Sequence, residues 1–232
     1  MGSRDDAKRR AALEAAKHVK DNFIVGLGSG TTVAFAIKEI GRRVREEKLR
    51  VLGVPTSYQA FILAAECGIP ITTLKEHPRL DLDVDGADQI DGELNLIKGK
   101  GGGAIAREKI VAYASKKVVI VADETKLTQK LGEDGPLPVE VLPFAEPLVS
   151  LNMKDVGGKA VLRERIDGTG PFITDNGNFI LDVHFGPIEN PTGLNLALKA
   201  IPGVIETGLF IDIADIAYIG SPGGVERKER KR

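Results

Sequence analysis

Four side chains able to move protons or to stabilise negative charge fall close together in this sequence: Asp85, Asp88, Lys98 and Glu108. They lie in the stretch DLDVDGADQIDGELNLIKGKGGGAIAREKI, which runs from Asp81 to Ile110. Each has an ordinary reading alone. An Asp in a D-G turn bonds its own backbone, and a helix Glu or a Lys among glycines is most often a solvated surface charge. Their co-occurrence points instead to carboxylates that relay protons beside an ammonium placed to meet developing negative charge.

The surrounding residues predict elements that would hold such a set. Leu80, Leu82 and Val84 alternate with Asp81, Asp83 and Asp85, the period-2 pattern of a strand, and Gly86 then turns the chain. Asp85 and Asp88 are thus expected at a strand's carboxyl end, where ligands bind in open α/β sheets. Glu93 to Ile97 reads as a short strand delivering Lys98. Gly99, Gly101, Gly102 and Gly103 free the backbone to approach a ligand closely. A helix is expected from Ala104, with Ala106, Ile110 and Tyr113 on one face and Glu108 in its early turns.

Upstream, FIVGL at 23–27 reads as a buried strand, followed by GLGSGTT and a helix with Val33, Ile37, Ile40 and Val44 at helical spacing. A strand, a glycine loop and a helix start together make an anion site, because free N–H groups and the positive dipole end face the loop. Gly28 and Gly30 supply backbone freedom, and Ser29, Thr31 and Thr32 add hydroxyl donors. The loop reads as a phosphate cradle rather than only a tight turn. It fits two nucleotide motifs poorly: Gly30 stands where a P-loop needs Lys, and Thr31 where the dinucleotide fingerprint needs its third Gly. The next strand, RVLGVP, runs into Thr56 and Ser57 rather than the acid that would hold a ribose. Ser57 is expected to cap a helix through Cys67, with a strand at 71–74 after it. Further on, KVVIVA at 117–122 reads as another buried strand, ending near Asp123, Thr125 and Lys126. From position alone, Lys126 is equally a surface-loop lysine or a ligand for phosphate. Lys8, Arg9 and Arg10 on the opening helix read as a solvated face.

The run DGADQID, then NLIKG, then GGAIAREKI closely resembles ribose-5-phosphate isomerase of the A type, and the likeness extends more loosely over nearly the whole chain. The resemblance implies interconversion of D-ribose 5-phosphate and D-ribulose 5-phosphate in the non-oxidative pentose phosphate pathway. The reaction opens the ring, removes the C2 proton and returns one to C1 through an enediolate, without a cofactor or metal. On that pattern Glu108 matches the base, Lys98 and Asp88 the groups around the reacting oxygens, and Asp85 the acid associated with ring opening. Ser29, Thr31, Thr32, Lys8 and Lys126 match positions for the phosphate and distal hydroxyls, with Gly28, Gly30, Gly101 and Gly102 along the site. Whether Asp88 accepts a hydrogen bond or donates one is left open. The loop KGKGGGA is one residue longer than the family's lysine–glycine loop, which leaves Lys98 and Lys100 both as candidate ammonium groups. Lys98, attached directly to ELNLI, is the expected one. The family's habit also suggests a homodimer or homotetramer.

Two readings of other classes compete with this one. A sugar-phosphate sensor on a related fold would need a DNA-binding module, and the roughly twenty residues before the first strand are too few for a helix-turn-helix. A CoA-transferase-like protein would need its own nucleophilic Glu and a nucleotide pocket.

Length and composition fit this picture. The chain has 232 residues, 42% hydrophobic and 5% aromatic, with a net charge of −1. That suits an aliphatic core and gives no bulk field favouring nucleic acid or an anionic membrane. His18, His77 and His184 show no metal-ligand spacing. The single Cys67 fits a reducing compartment, no apolar run approaches membrane length, and MGSRDDAKRR lacks a signal peptide's apolar segment. A cytoplasmic protein is expected.

The expected fold is α/β. A Rossmann-like domain with a mostly parallel sheet takes 1–134 and 206–232, and a smaller ferredoxin-like α+β domain takes 135–205. In the smaller domain, strands are expected at 139–142, 160–165, 172–174, 178–185 and 204–210, with helices at 146–155 and 194–201. Asp175-Asn176-Gly177 marks a hairpin turn. The end ERKERKR reads as a solvated tail.

Overall fold

The computed structural model describes residues 3–231. Along the chain run α1 (Ser3–Ala16), β1 (Phe23–Leu27), α2 (Val33–Glu46), β2 (Val51–Pro55), α3 (Tyr58–Glu66), β3 (Leu82–Gly86), β4 (Gln89–Ile90), β5 (Leu96–Ile97), α4 (Ile105–Ala114) and β6 (Val118–Asp123). There follow β7 (Leu137–Val141), α5 (Glu146–Asn152), β8 (Lys159–Leu162), β9 (Phe179–His184), α6 (Pro191–Lys199), β10 (Val204–Thr207), β11 (Leu209–Phe210), β12 (Ile216–Ser221) and β13 (Gly224–Glu229). They form two compact units. One takes the chain up to Ala87, Arg107–Lys126 and from Ile213 onward; the other takes Asp88–Ala106 and Leu127–Asp212.

In the first unit the strand order is β13-β12-β6-β3-β1-β2. β2, β1, β3, β6 and β12 run parallel to one another, as the buried runs VLGVP, FIVGL and VVIVA predict. The chain steps from β1 outward to β2, then back across β1 to β3. That reversal makes β1/β3 a topological switch point, where α/β sheets bind ligands. The core is aliphatic: Ala11, Ala12 and Ala15 of α1 cluster with Val33, Ile37 and Ile40 of α2 and the inner strands.

Two expectations for this unit are corrected. The strand at 71–74 is reduced to one parallel bridge, Gly53 to Ile71. Pro70 has no N–H to donate, and the chain turns straight away, with the amides of Glu76 and His77 both bonding the Thr73 carbonyl. The basic-acidic end is not simply a solvated tail, because Glu226–Glu229 belongs to β13, antiparallel to β12. Its charged side chains suit an edge strand, where they discourage pairing with other chains.

The second unit contains β7-α5-β8-β9-α6-β10, with an antiparallel sheet in the order β10-β7-β9-β8. This is the ferredoxin-like arrangement. Leu137, Val139 and Val141 of β7 pack with Leu181, Val183 and Leu198. The segment 172–174 makes only the bridge Ile173 to Phe179, closed by the turn in which Gly177 N–H donates to the Thr174 carbonyl. The expected strand 204–210 is cut at Gly208. Gly208 N–H donates to the Pro138 carbonyl at 2.7 Å and its own carbonyl accepts Lys98 N–H at 2.9 Å. A Cβ there would lie 2.4 Å from the Lys98 carbonyl oxygen, so only glycine lets the chain pass from β10, beside β7, to β11, beside β5. The expected division at 134/135 and 205/206 runs differently from these units: β4, β5 and β11 form their own three-stranded sheet, so residues 88–106 and 206–212 cluster with the antiparallel sheet.

Candidate active site

The loop after β1 is held from β3. Gly28 N–H donates to the Val84 carbonyl, and a Cβ at Gly28 would come 2.1 Å from Asp85 Oδ1. Asp85 is 1% exposed; its Oδ1 accepts the amides of Gly86 at 2.7 Å and Ser29 at 3.2 Å. The acid read as a ring-opening group therefore also fixes the first turn of the cradle. Ser29 Oγ donates to Ser57 Oγ at 2.6 Å and lies 3.0 Å from Thr56 Oγ1. Gly30 takes φ +102°, and its amide donates to Gln59. Exposed Thr31 and half-buried Thr32 then lead into α2, where the Ala34 and Phe35 amides donate to the Gly30 and Thr32 carbonyls at 3.1 and 3.2 Å. Lys8 reaches this loop, with Nζ donating to Thr31 Oγ1 at 3.3 Å. Lys126 closes a 3₁₀ turn, Glu124–Lys126, directly after β6.

Glu108 is 6% exposed in the first turn of α4. The buried residues of this helix include Ile105, Glu108, Val111 and Ala112, whereas Ile110 and Tyr113 are exposed. Ala106, Ile110 and Tyr113 share one face of α4 as expected, but only Ala106 of them is buried, and the buried set includes a carboxylate where an apolar residue would pack. A buried Glu costs free energy unless it is paired or hydrogen-bonded, and a buried carboxylate in the first turn of a helix is a candidate functional group.

In the second unit, the strand expected over Glu93–Ile97 shortens to β5, because Asp91 Oδ1 accepts the amides of Glu93 and Asn95 and Leu94 takes φ +59°. Lys98 follows β5 directly and is 4% exposed, its Nζ 5.5 Å from the centre of the Phe210 ring. Lys100 is exposed. Asp88 Oδ2 accepts the Lys100 amide at 2.8 Å. The glycines divide into two pairs. Gly99 takes φ +101° against Ile105 and Gly103 packs against Thr174, whereas a Cβ at Gly101 or Gly102 would meet nothing within 4 Å.

Several residues that serve these positions were not singled out from sequence. Thr56 and Ser57 brace Ser29, and Ser57 also accepts the Ala60 amide as the expected cap of α3. Glu140, fully buried in β7, accepts from the Ala106 amide at 3.2 Å, Thr174 Oγ1 at 2.9 Å and the side-chain amides of Asn176 and Asn178 at 3.3 and 2.8 Å. The one signal the sequence offers for it is a Glu inside the apolar run LPVEV, which names none of its partners.

A doubly wound parallel sheet with a hydroxyl-rich glycine loop and a buried acid at its switch point defines a phosphate-handling α/β protein. The family model for ribose 5-phosphate isomerase A (phosphoriboisomerase A) matches residues 52–224. A ribose-5-phosphate isomerase A of Methanosarcina acetivorans is 54% identical over 217 residues, covering 94% of this chain and 91% of that one. Among solved structures, ribose 5-phosphate isomerase A from Methanocaldococcus jannaschii superposes with a TM-score of 0.93 at 44% identity, covering 97% and 99% of the two chains. A D-ribose-5-phosphate isomerase in complex with phospho-erythronic acid gives 0.95 at 43% identity, covering 99% and 100%. The chain belongs to the ribose 5-phosphate isomerase A family, and is an aldose–ketose isomerase.

Proposed function

We propose that Glu108 is the proton shuttle by which this chain interconverts D-ribose 5-phosphate and D-ribulose 5-phosphate. With the sugar open, the Glu108 carboxylate takes the C2 proton; the released pair forms the C1=C2 bond of an enediolate, and the C1 oxygen gains charge. The proton of the C2 hydroxyl passes to the C1 oxygen, and Glu108 returns its own proton to C1 as the C2 oxygen becomes the carbonyl. Lys98 supports the charge on the reacting oxygens, and Asp88 hydrogen-bonds a reacting hydroxyl. Asp85 serves ring opening. Gly28, Ser29, Gly30, Thr31, Thr32, Lys8 and Lys126 hold the phosphate and distal hydroxyls, with Gly101 and Gly102 leaving backbone open to the sugar. Binding energy from the unreacting phosphate is then available to orient C1 and C2.

The observation that carries this reading is the buried stripe of α4, in which Glu108 occupies a packing position. Replacing Glu108 by Gln keeps its size and removes the base. In an assay of ribulose 5-phosphate formation, kcat is expected to fall roughly 10²–10⁴-fold, with binding of phospho-erythronic acid retained. Normal turnover by the variant would move the shuttle elsewhere, with Asp88 next to be tested.

Self-association into a homodimer or homotetramer belongs to the same proposal, supported by the exposed Phe144, Leu148 and Leu151 of the second unit. Sedimentation equilibrium reads it directly, and a monomer at micromolar concentration would remove it. Among the described residues no helix is long and apolar enough to cross a membrane. A cytoplasmic location is proposed with the activity, and fractionation of the source cells tests it.

A further inference from the structure

The backbone that carries Lys98 is tied residue by residue. The Ile97 carbonyl accepts Asp88 N–H at 2.8 Å, and Lys98 N–H donates to the Gly208 carbonyl at 2.9 Å. Lys100 N–H donates to Asp88 Oδ2 at 2.8 Å. The remaining tie comes from a side chain far along the chain: Arg163 Nη1 donates to the Gly99 carbonyl at 2.7 Å. Gly99 needs such a hold, because its φ of +101° is a conformation open to glycine and costly to maintain without outside contacts.

Arg163 is itself oriented. Its Nε and Nη2 donate to the two carboxylate oxygens of Asp182 at 2.8 and 2.5 Å, a bidentate fork that fixes the plane of the guanidinium. Arg163 and Asp182 side chains are only 13% and 22% exposed, and the guanidinium carbon lies 5.9 Å from the centre of the Phe172 ring. Asp182 lies in β9 and Arg163 directly follows β8, so the fork is anchored on the antiparallel sheet. One guanidinium thus spends two nitrogens on being held and the third on holding Gly99. A lysine cannot do this, since a single ammonium has no fixed fork.

We propose that Arg163 is a positioning residue for Lys98: by fixing the Gly99 carbonyl on the ferredoxin-like sheet, it sets where the Lys98 ammonium stands. The inference rests on the proposed role of Lys98. Charge stabilisation falls steeply with misplacement, because a shift of about 1 Å can cost about 10²-fold in rate. Arg163 acts through the backbone and touches no reacting atom.

The test is a double-mutant cycle on the purified full chain. Arg163→Lys is expected to lower kcat about 10- to 100-fold, with KM for ribose 5-phosphate within about threefold, since the phosphate loop lies elsewhere. In a Lys98→Ala background the same replacement is expected to leave kcat unchanged, because no ammonium remains to misplace. Asp182→Asn, which keeps the guanidinium but removes the charge that orients it, carries the same expectation should Arg163→Lys not fold. An equal fractional loss in both backgrounds, or none in the wild type, would overturn the inference. Full activity in Lys98→Ala alone would instead sink the role of Lys98, so the two failures are told apart.

Discussion

Besides Asp83 inside β3, the parallel sheet of the first unit buries carboxylates where strands end, and the antiparallel sheet of the second buries one in mid-strand. Asp85 and Asp123 close β3 and β6, at 1% and 2% exposure, and each holds the amide of a loop residue: Ser29 for Asp85 and Thr125 for Asp123. Glu140 sits between Val139 and Val141 and meets four donors, all neutral. A carboxylate at a strand's carboxyl end faces a loop that a ligand can reach, so it can serve both loop and ligand. A carboxylate in mid-strand reaches only what packs on that face, and its work is to fix a fold element. Here that element is the start of α4, where Glu140 caps Ala106 in the absence of any Ser, Thr, Asp or Asn at Gly103 or Ala104. The two units therefore differ in kind: the first offers groups at strand ends, and the second immobilises the segment 97–106.

For the loop after β1 and the segment 97–106, that contrast predicts binding effects in the one and rate effects in the other. Within the second unit the largest effect is expected at Lys98, which is assigned with Asp88 to the reacting oxygens. Lys98→Ala should lower kcat by roughly 10²–10³, whereas Lys100→Ala should change it little and in a way that added salt screens. Steady-state kinetics on both variants decide it, and the reverse ranking would show that the longer loop has moved the ammonium.

An intermediate effect is expected in the first unit's cradle. Thr31→Val removes a hydroxyl that also meets Lys8. Substrate binding should weaken by about 1.5–3 kcal/mol, the range for a hydrogen bond to a charged group, while kcat stays near the wild type. If calorimetry with phospho-erythronic acid gives the same Kd for both proteins, Thr31 is no part of the cradle.

The smallest effect concerns stability and sharpens the contrast from the side away from chemistry. His18 Nε2 lies 2.8 Å from the Tyr218 hydroxyl. Burial, and then the nearby charges of Lys117, Arg227 and Lys20, lower its pKa below the ordinary 6.5. On acidification the unfolded chain therefore takes up the proton first. The contribution is fully present above about pH 6.5 and is lost as pH falls through the folded value. Thermal melts at pH 7.5 and 5 should show a larger drop for the wild type than for His18→Gln. Equal drops would mean that other groups carry the acid sensitivity.

Much of the first unit was legible from local pattern. The run FIVGL–GSGTT–helix and the alternation through Leu82 and Val84 placed the glycine loop and Asp85 at strand ends, because period-2 burial and glycine turns are written in neighbouring residues. The order of strands and helices from β7 to β10 was legible for the same reason. The strand 204–210 was not, since its break at Gly208 depends on the carbonyls of Lys98 and Pro138, distant in sequence. The segment ERKERKR departs from the expected solvated tail because high charge marks an edge strand as readily as a solvated end.

By itself the sequence determined which chemistry is available: carboxylates at 85, 88 and 108, an ammonium at 98 or 100, and hydroxyls after a buried strand. Tertiary structure decided which of these are buried, and by whom they are held. Lys98 lies at 4% exposure and Glu108 at 6%, while Lys100 stands in solvent. Arg163 grips Gly99 from 64 residues away, and Glu140 holds Ala106 from 34. Such pairs leave no local periodicity, since a side chain's long-range partner depends on which strands become neighbours, and that is settled only when the sheets assemble.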